Sequence, residues 1–396
     1  MSENGSGSEN GNGNAVRGMA TVAVVGGGYG GAAVAKALDG GTDVVLIEPK
    51  DAFVHSAGAL RALVRPDWAA NMFFPYDRLL TRGRVLRERA SSVDPGGVTL
   101  ASGGRIDADY LVLATGSDYA FPAKTETDSS AEALRRLRVA YDELTGAERV
   151  LILGAGPVGL ELAGEIRAVW PAKRIVIVDP APEVLPGFLP EVRADLLRQL
   201  AALDIELRLG VRLDEQPPGE PGRAKTFTVP TTPGGDLTTD LTAGLTADIW
   251  FRCHGVRVNG GYLGDGRLTL PTPKGQVRVT DTLNVTGPAG PYAHVYALGD
   301  LTDVAEAKMA GHAMRHADVV ARNILAQARG ERATATYLPS PVPSALLPLG
   351  PGGGVGQLPD TERGAGGAVP VPAPRVAAYK GADLFVGRFA ELFGTA

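Results

Sequence analysis

Short apolar runs recur at positions 21–25, 43–47, 150–153 and 174–178. Each is too brief for a helix and lacks the polar alternation of a half-exposed strand, so each predicts a strand buried on both faces. Between them, 32–38 and 160–169 carry helical patterns. Two more apolar runs end in small polar residues, Leu111-Val-Leu-Ala-Thr-Gly116 and Val295-Tyr-Ala-Leu-Gly-Asp300, and the second leads into a helical stretch over 306–323. Strands alternating with helices predict an α/β fold built on parallel sheets. A polar insert at 215–247 and a Pro/Gly-rich segment at 359–374 interrupt the pattern.

The first strand runs straight into Gly26-Gly27-Gly28-Tyr29-Gly30-Gly31 and then a helix. In such a turn Gly26 permits the tight bend, Gly28 lets the backbone approach a pyrophosphate, and Gly31 allows close helix packing, while the helix N-terminus supplies N–H donors. The following strand ends in Glu48, where a carboxylate can accept hydrogen bonds from the hydroxyls of an adenosine ribose. The arrangement occurs again: Gly154-Ala155-Gly156-Pro157-Val158-Gly159 follows strand 150–153 and opens a helix, and Asp179 closes the next strand. Two complete units imply two nucleotides, and a flavin on one with a nicotinamide on the other is the common use of such a pair. Acidic Asp179 would repel the 2′-phosphate of NADPH, which predicts NADH.

Composition narrows the class. At 396 residues the chain is too long for one compact core. A net charge of −5 without a long basic run excludes nucleic acid as a partner. The single cysteine, Cys253, cannot form an internal disulfide or a CxxC pair, which fits a reducing, cytoplasmic setting and excludes a built-in dithiol relay. Residues 1–18 are Gly, Ser, Asn and Glu in the main and predict a flexible tail. No apolar stretch approaches the roughly 20 residues that span a bilayer, so the expectation is a soluble or at most surface-attached chain, at the inner face of a membrane in the latter case.

The Ala-Thr-Gly116 and Gly-Asp300 segments resemble those that mark exit from and return to the FAD domain in two-dinucleotide flavoproteins. Further residues resemble the ferroptosis suppressor branch of the apoptosis-inducing-factor-like flavoproteins, which is similar to type II NADH dehydrogenases. They are Asp51-Ala-Phe-Val-His-Ser-Ala-Gly-Ala-Leu-Arg61, Val184-Leu-Pro-Gly-Phe188, Asp300-Leu-Thr-Asp-Val-Ala-Glu-Ala-Lys-Met309 with Gly311, His316 and Asn323, Leu349-Gly-Pro-Gly-Gly-Gly-Val-Gly-Gln357 and Lys380-Gly-Ala-Asp-Leu-Phe-Val386. The resemblance runs from about residue 20 to the end. It implies an α/β fold of two Rossmann-like domains: FAD on 19–120 and 256–328, an inserted NAD domain on 121–255, and a C-terminal region on 329–396. It also implies NAD(P)H:quinone oxidoreductase activity.

The resemblance assigns FAD to Gly26, Gly28, Tyr29, Gly30, Gly31, Glu48, Pro49 and Lys50, with His55 and Arg61 near the isoalloxazine or its phosphates, Ala114, Thr115 and Gly116 at the domain exit, and Asp300, Lys308 and Met309 at the return. NADH falls to Gly154, Gly156, Pro157, Val158, Gly159, Glu161 and Asp179. Lys308, expected near a helix start at the flavin pyrimidine edge, and Glu161, placed to orient the carboxamide or pair with Lys308, are the candidate catalytic residues. His312 and His316 stand i,i+4 without a third ligand, so no metal is expected. Cys253 reads as packing.

Residues 380–393 predict one amphipathic helix with Leu384, Phe385, Phe389, Leu392 and Phe393 on one face. That face suits the chain's own core, a homodimer partner, or a membrane interface from which a lipid-soluble quinone is collected. Rival functions are electron delivery to a ferredoxin- or rubredoxin-like iron protein, and an NADH-responsive redox sensor.

Overall fold

A computed structural model of the chain describes residues 18–233, 244–360 and 366–395. The tail at 1–17 and the middle of the polar insert lie outside the described residues, as do 361–365 in the Pro/Gly-rich segment.

Two parallel sheets carry the molecule. The first is ordered Asn284–Gly287, Gly290–Ala297, Tyr110–Leu113, Thr21–Val25, Asp43–Ile47, Arg84–Leu86, and only its Asn284–Gly287 edge strand pairs antiparallel. The second is ordered Ile205–Leu209, Arg174–Asp179, Arg149–Leu153, Ile249–Arg252 and is parallel throughout. Central strands such as Val22–Val25 and Val150–Ile152 are almost fully buried, as expected where helices cover both faces. In each sheet the chain leaves the first strand through a glycine turn into a helix, α1 (Tyr29–Leu38) in one and α2 (Pro157–Val169) in the other. Those first strands have neighbours on both sides, so their C-terminal ends open onto the crevice where ligands bind in such sheets.

A three-stranded antiparallel sheet, Ala345–Leu349, Gly353–Pro359 and Ala368–Val371, packs beside the second unit. Its contact with α2 is close: a Cβ on Gly164 would lie 2.5 Å from the Gly350 nitrogen. Within the polar insert, Phe227–Val229 pairs with Leu245–Ala247, and Thr231–Pro233 pairs with Val211–Leu213 just ahead of the insert.

Two elements differ from expectation. The helix expected from 306 begins later, as α3 (Ala310–Ala328). The residues before it form an irregular loop because the Lys308 ammonium folds back to donate to the carbonyls of Thr302, at 2.8 Å, and Val304, at 3.1 Å. The expected single helix over 380–393 is broken. A π-turn at Ala377–Gly381 is followed by Leu384 and Phe385 with φ of 55° and 65°, and then by a short helix, α4 (Val386–Leu392). Asp383 Oδ1 accepts the Phe385 N–H at 2.9 Å, an alternative to the helical ladder that stabilises the break.

The aromatic face of that segment is turned inward. Phe389 and Phe393 are 3% and 0% exposed, and Phe393 lies 4.8 Å from Phe53, ring to ring, with Phe74 and Tyr76 around it. The chain's own first unit takes up the face that was open to a membrane or a partner. Among the described residues no helix is long and apolar enough to cross a membrane.

Candidate active site

The two glycine turns are built alike. Gly26 and Gly154 have φ of 100° and 113°, and their N–H groups donate to Ile47 O and Val178 O at 2.9 and 2.8 Å. A Cβ on Gly31 would come 1.8 Å from Gly26 O, and one on Gly159 would come 2.0 Å from Gly154 O, so each helix packs where only hydrogen fits. A Cβ on Gly28 or Gly156 would meet nothing within 4 Å. These middle glycines keep an open approach at a helix N-terminus, where backbone amides and the helix dipole favour a phosphate.

Each unit also holds its acid in the same way. Glu48 accepts from Gly27 N–H at 2.6 Å and Lys50 N–H at 3.0 Å, and Asp179 accepts from Ala155 N–H at 2.7 Å and Ala181 N–H at 2.8 Å. Tyr76, which carries no motif, donates to Gly27 O at 2.8 Å and closes the back of the first turn.

The first turn opens into two cavities of about 230 and 760 Å³ that share Gly26, Glu48, Lys50, Thr115, Asp118 and Asn259. The smaller is walled by Gly28, Tyr29, Gly30, Ala114, Gly116, Asp300, Lys308 and Met309, and Pro49 lines the larger. Sequences far apart in the chain thus meet at one cleft. Its shape and donors suit FAD: an open glycine cradle, a carboxylate at the ribose position, and a returning segment with a helix N-terminus at Ala310. Cations flank it, since Lys50, Lys124 and Lys308 all reach the wall. Burial lowers the pKa of Lys308, against the pull of Asp300, Glu306 and Asp303, and it lowers that of Lys124 against Asp300 and Asp118.

Ser117 and Lys124 were not anticipated. Ser117 Oγ donates to Asp300 Oδ2 at 2.6 Å, while the Lys124 ammonium meets Ser117 O and stands 3.9 Å from Asp300. They fix the Asp300 carboxylate, and no local pattern marks either residue.

Two residues expected at FAD are engaged elsewhere, and neither lines the cleft. Arg61 is 3% exposed and forks onto Glu165 of α2, with Nη2 to Oε1 at 2.6 Å. It also donates to Gly381 O at 2.7 Å and Ala382 O at 2.9 Å. His55 is 1% exposed, with Nε2 at 2.6 Å from Leu384 O and Nδ1 at 3.0 Å from the Tyr29 hydroxyl. The Leu384 carbonyl can only accept, so Nε2 carries the hydrogen and the Tyr29 hydroxyl donates to Nδ1. Burial pushes the His55 pKa down to about 4, with the bond to Leu384 opposing, so the ring is neutral near pH 7. His55 therefore reaches the cleft only through Tyr29.

Glu161 does not meet Lys308. It pairs with Lys380, Nζ to Oε1 at 2.8 Å, in a setting where both side chains are largely buried. Burial raises the Glu161 pKa, with Lys380 opposing. The segment 380–384 thus touches α2 through Lys380, Arg61 through two carbonyls, and the cleft wall through His55 and Tyr29. Only the fold reveals this partner of Lys380.

Cys253 is buried with its thiol pushed up to about 12 by desolvation, which keeps it unreactive. His312 and His316 both stand beside Glu306, and among the described residues no three His, Cys, Asp or Glu side chains are grouped to hold a metal.

Comparison with known proteins agrees with this geometry. The pyridine nucleotide-disulphide oxidoreductase family model matches residues 20–320. Ferroptosis suppressor protein 1 of Taeniopygia guttata is 31% identical over 352 residues, covering 86% of this chain and 89% of the relative. Apoptosis-inducing factor homolog B of Dictyostelium discoideum is 30% identical over 354 residues, covering 86% and 90%. Among solved structures, the sulfide:quinone oxidoreductase of Aquifex aeolicus superposes with a TM-score of 0.73 at 18% identity, over 95% of this chain and 92% of that one. The chain belongs to the pyridine nucleotide-disulphide oxidoreductase family, in the branch of ferroptosis suppressor protein 1 and the apoptosis-inducing factor homologues, and is an FAD-dependent oxidoreductase that works with NAD(H).

Proposed function

We propose that the chain is an NADH:quinone oxidoreductase: NADH, a proton and a quinone give NAD⁺ and a quinol. FAD in the first unit supplies the two-electron carrier between donor and acceptor. The remaining work falls to side chains. Gly28 and the α1 N-terminus would receive the pyrophosphate, Glu48 the adenosine ribose, and Asp300, steadied by Ser117, the returning end of the cofactor. Residues 19–120 and 256–328 form this unit in our reading. Residues 121–255 form the nicotinamide unit, with Gly154, Gly156, Pro157, Val158 and Gly159 at the phosphates and Asp179 against a 2′-phosphate. Lys308 and the α3 N-terminus set positive potential at the cofactor's pyrimidine edge.

One observation carries the choice of acceptor, the buried Glu161–Lys380 pair. A quinone takes up two protons with two electrons, so its site needs a proton source shielded from solvent. A buried carboxyl of raised pKa beside an ammonium can hold and release one. An iron-protein acceptor takes electrons singly and has no use for such a pair. The word quinone in the name of the Aquifex aeolicus enzyme of like fold is consistent with this, and the lone buried cysteine removes a dithiol route.

The test is Lys380→Met, followed one half-reaction at a time. NADH-driven bleaching of the yellow holoenzyme should stay within about threefold of wild type, and reoxidation by a short-chain ubiquinone should slow roughly a hundredfold or more, the range for a lost general acid. Equal rates in both halves would remove Lys380 from the reaction.

A further inference from the structure

A chain of buried polar groups stands behind the returning segment, on the side away from the cleft. Gly299, with φ of 68°, lines the cleft beside Asp300, and its N–H points backward to His316 Nδ1 at 3.1 Å. His316 Nε2 lies 2.9 Å from Glu306 Oε1, and the two side chains are 1% and 5% exposed. Glu306 Oε2 accepts from the Tyr337 hydroxyl at 2.7 Å. His312 Nδ1 donates to Ala307 O at 2.8 Å and stands 3.4 Å from Glu306 Oε2, while the His316 ring meets Tyr337 edge-on at 4.1 Å between centroids.

The partners dictate the protonation. The Gly299 N–H can only donate, so Nδ1 must be the bare nitrogen, and Nε2 then carries the hydrogen. Glu306 Oε1 lies 2.9 Å from Nε2 but off the line of its N–H, so the carboxylate holds the ring by charge and not by a directed hydrogen bond. The carboxyl stays ionised: burial works against the charge, and the nearby His316 ring with the hydrogen bond from Tyr337 outweighs it, lowering its pKa.

We propose that Glu306 and His316 form a positioning pair that holds the Gly299–Asp300 turn, and through it the cofactor-facing Asp300, in place. The Gly299 N–H fixes the tautomer of His316, Glu306 holds the ring by its charge, and His316 anchors the turn. The same carboxylate ties down the loop that presents Lys308 and Met309 to the cleft, so one buried charge steadies both. This rests on FAD occupying that cleft.

Glu306→Gln is the informative change, because it removes the charge while its amide oxygen can still face Nε2–H. The Gly299 N–H then keeps the tautomer, and only the electrostatic hold on the turn is lost. Long-range ¹H–¹⁵N spectra of the histidine-labelled holoprotein resolve the tautomers of its five histidines. Wild-type His316 is expected as the Nε2–H form, and Glu306→Gln should keep that signature yet release FAD about tenfold faster, the scale of one lost charged contact. A second pair of variants stands independently of that one's folding. His316→Asn keeps an acceptor near the Nδ1 position and should retain FAD within about threefold, whereas His316→Leu should lose it at least tenfold faster. A wild-type His316 protonated at Nδ1, or FAD release from His316→Leu at the wild-type rate, would overturn the proposal. Wild-type protein that takes up no FAD at all would instead refute the assignment of the cleft.

Discussion

Single residues in the glycine turn separate folding from binding. At Gly31 an added Cβ would collide with Gly26 O at 1.8 Å, whereas at Gly28 it would meet only open space. Gly31→Ala should therefore lower the melting temperature of the protein itself, while Gly28→Ala should leave the apo chain folded and abolish flavin retention. Calorimetry beside the 450 nm flavin absorbance of purified variants distinguishes the two. His55 offers a pH test. Its pKa falls from 6.5 to about 4 on folding, so the unfolded chain takes up the proton first as pH drops. The stability it contributes is whole above about pH 6.5 and lost as pH falls through 4, roughly 3 kcal/mol over that window. His55→Gln keeps a donor for Leu384 O without titrating, and its unfolding free energy should vary less across that range. An equally steep profile would move the titration to another group. The glycines and acids were legible in the sequence because strand, turn and helix set their surroundings within a few residues. His55 and Arg61 were misplaced because Leu384 O, and Glu165 with the Gly381 and Ala382 carbonyls, lie from about a hundred to over three hundred residues away.

Among the elements, the C-terminal segment departs most from its sequence pattern. Amphipathic spacing identified the apolar face of 380–393 correctly. It could not reveal the left-handed pair Leu384 and Phe385, or that Phe53 and Phe74 wait to receive Phe389 and Phe393. The Arg61–Glu165 ion pair pins this segment between the two units, with side chains 4% and 5% exposed. Arg61→Met leaves a buried carboxylate without its partner and should cost about 3–5 kcal/mol in denaturant unfolding. Adding Glu165→Leu should recover much of that loss, since the orphaned charge goes with it. Removal of residues 376–396 strips Phe389 and Phe393 from the core and should leave protein that melts well below wild type. A truncated chain as stable as the full one would mean the segment is dispensable to the fold.

At the scale of the whole molecule, the repeat of strand, glycine turn, helix and acid makes the two-unit plan readable in the sequence. The Ala-Thr-Gly116 and Gly-Asp300 segments meet at the first unit's cleft, which is where the resemblance leads us to expect the flavin. The Glu161–Lys380 pair was not readable, because it joins a residue on α2 to one near the C-terminus with no shared motif. The central claim is that electrons entering from NADH leave to a quinone. Anaerobic stopped-flow absorbance of the holoenzyme, mixed first with NADH and then with menadione or a short-chain ubiquinone, tests it most directly. Fast bleaching followed by fast recovery of the oxidised spectrum is the predicted result, and fast bleaching without recovery on adding quinone would contradict the account.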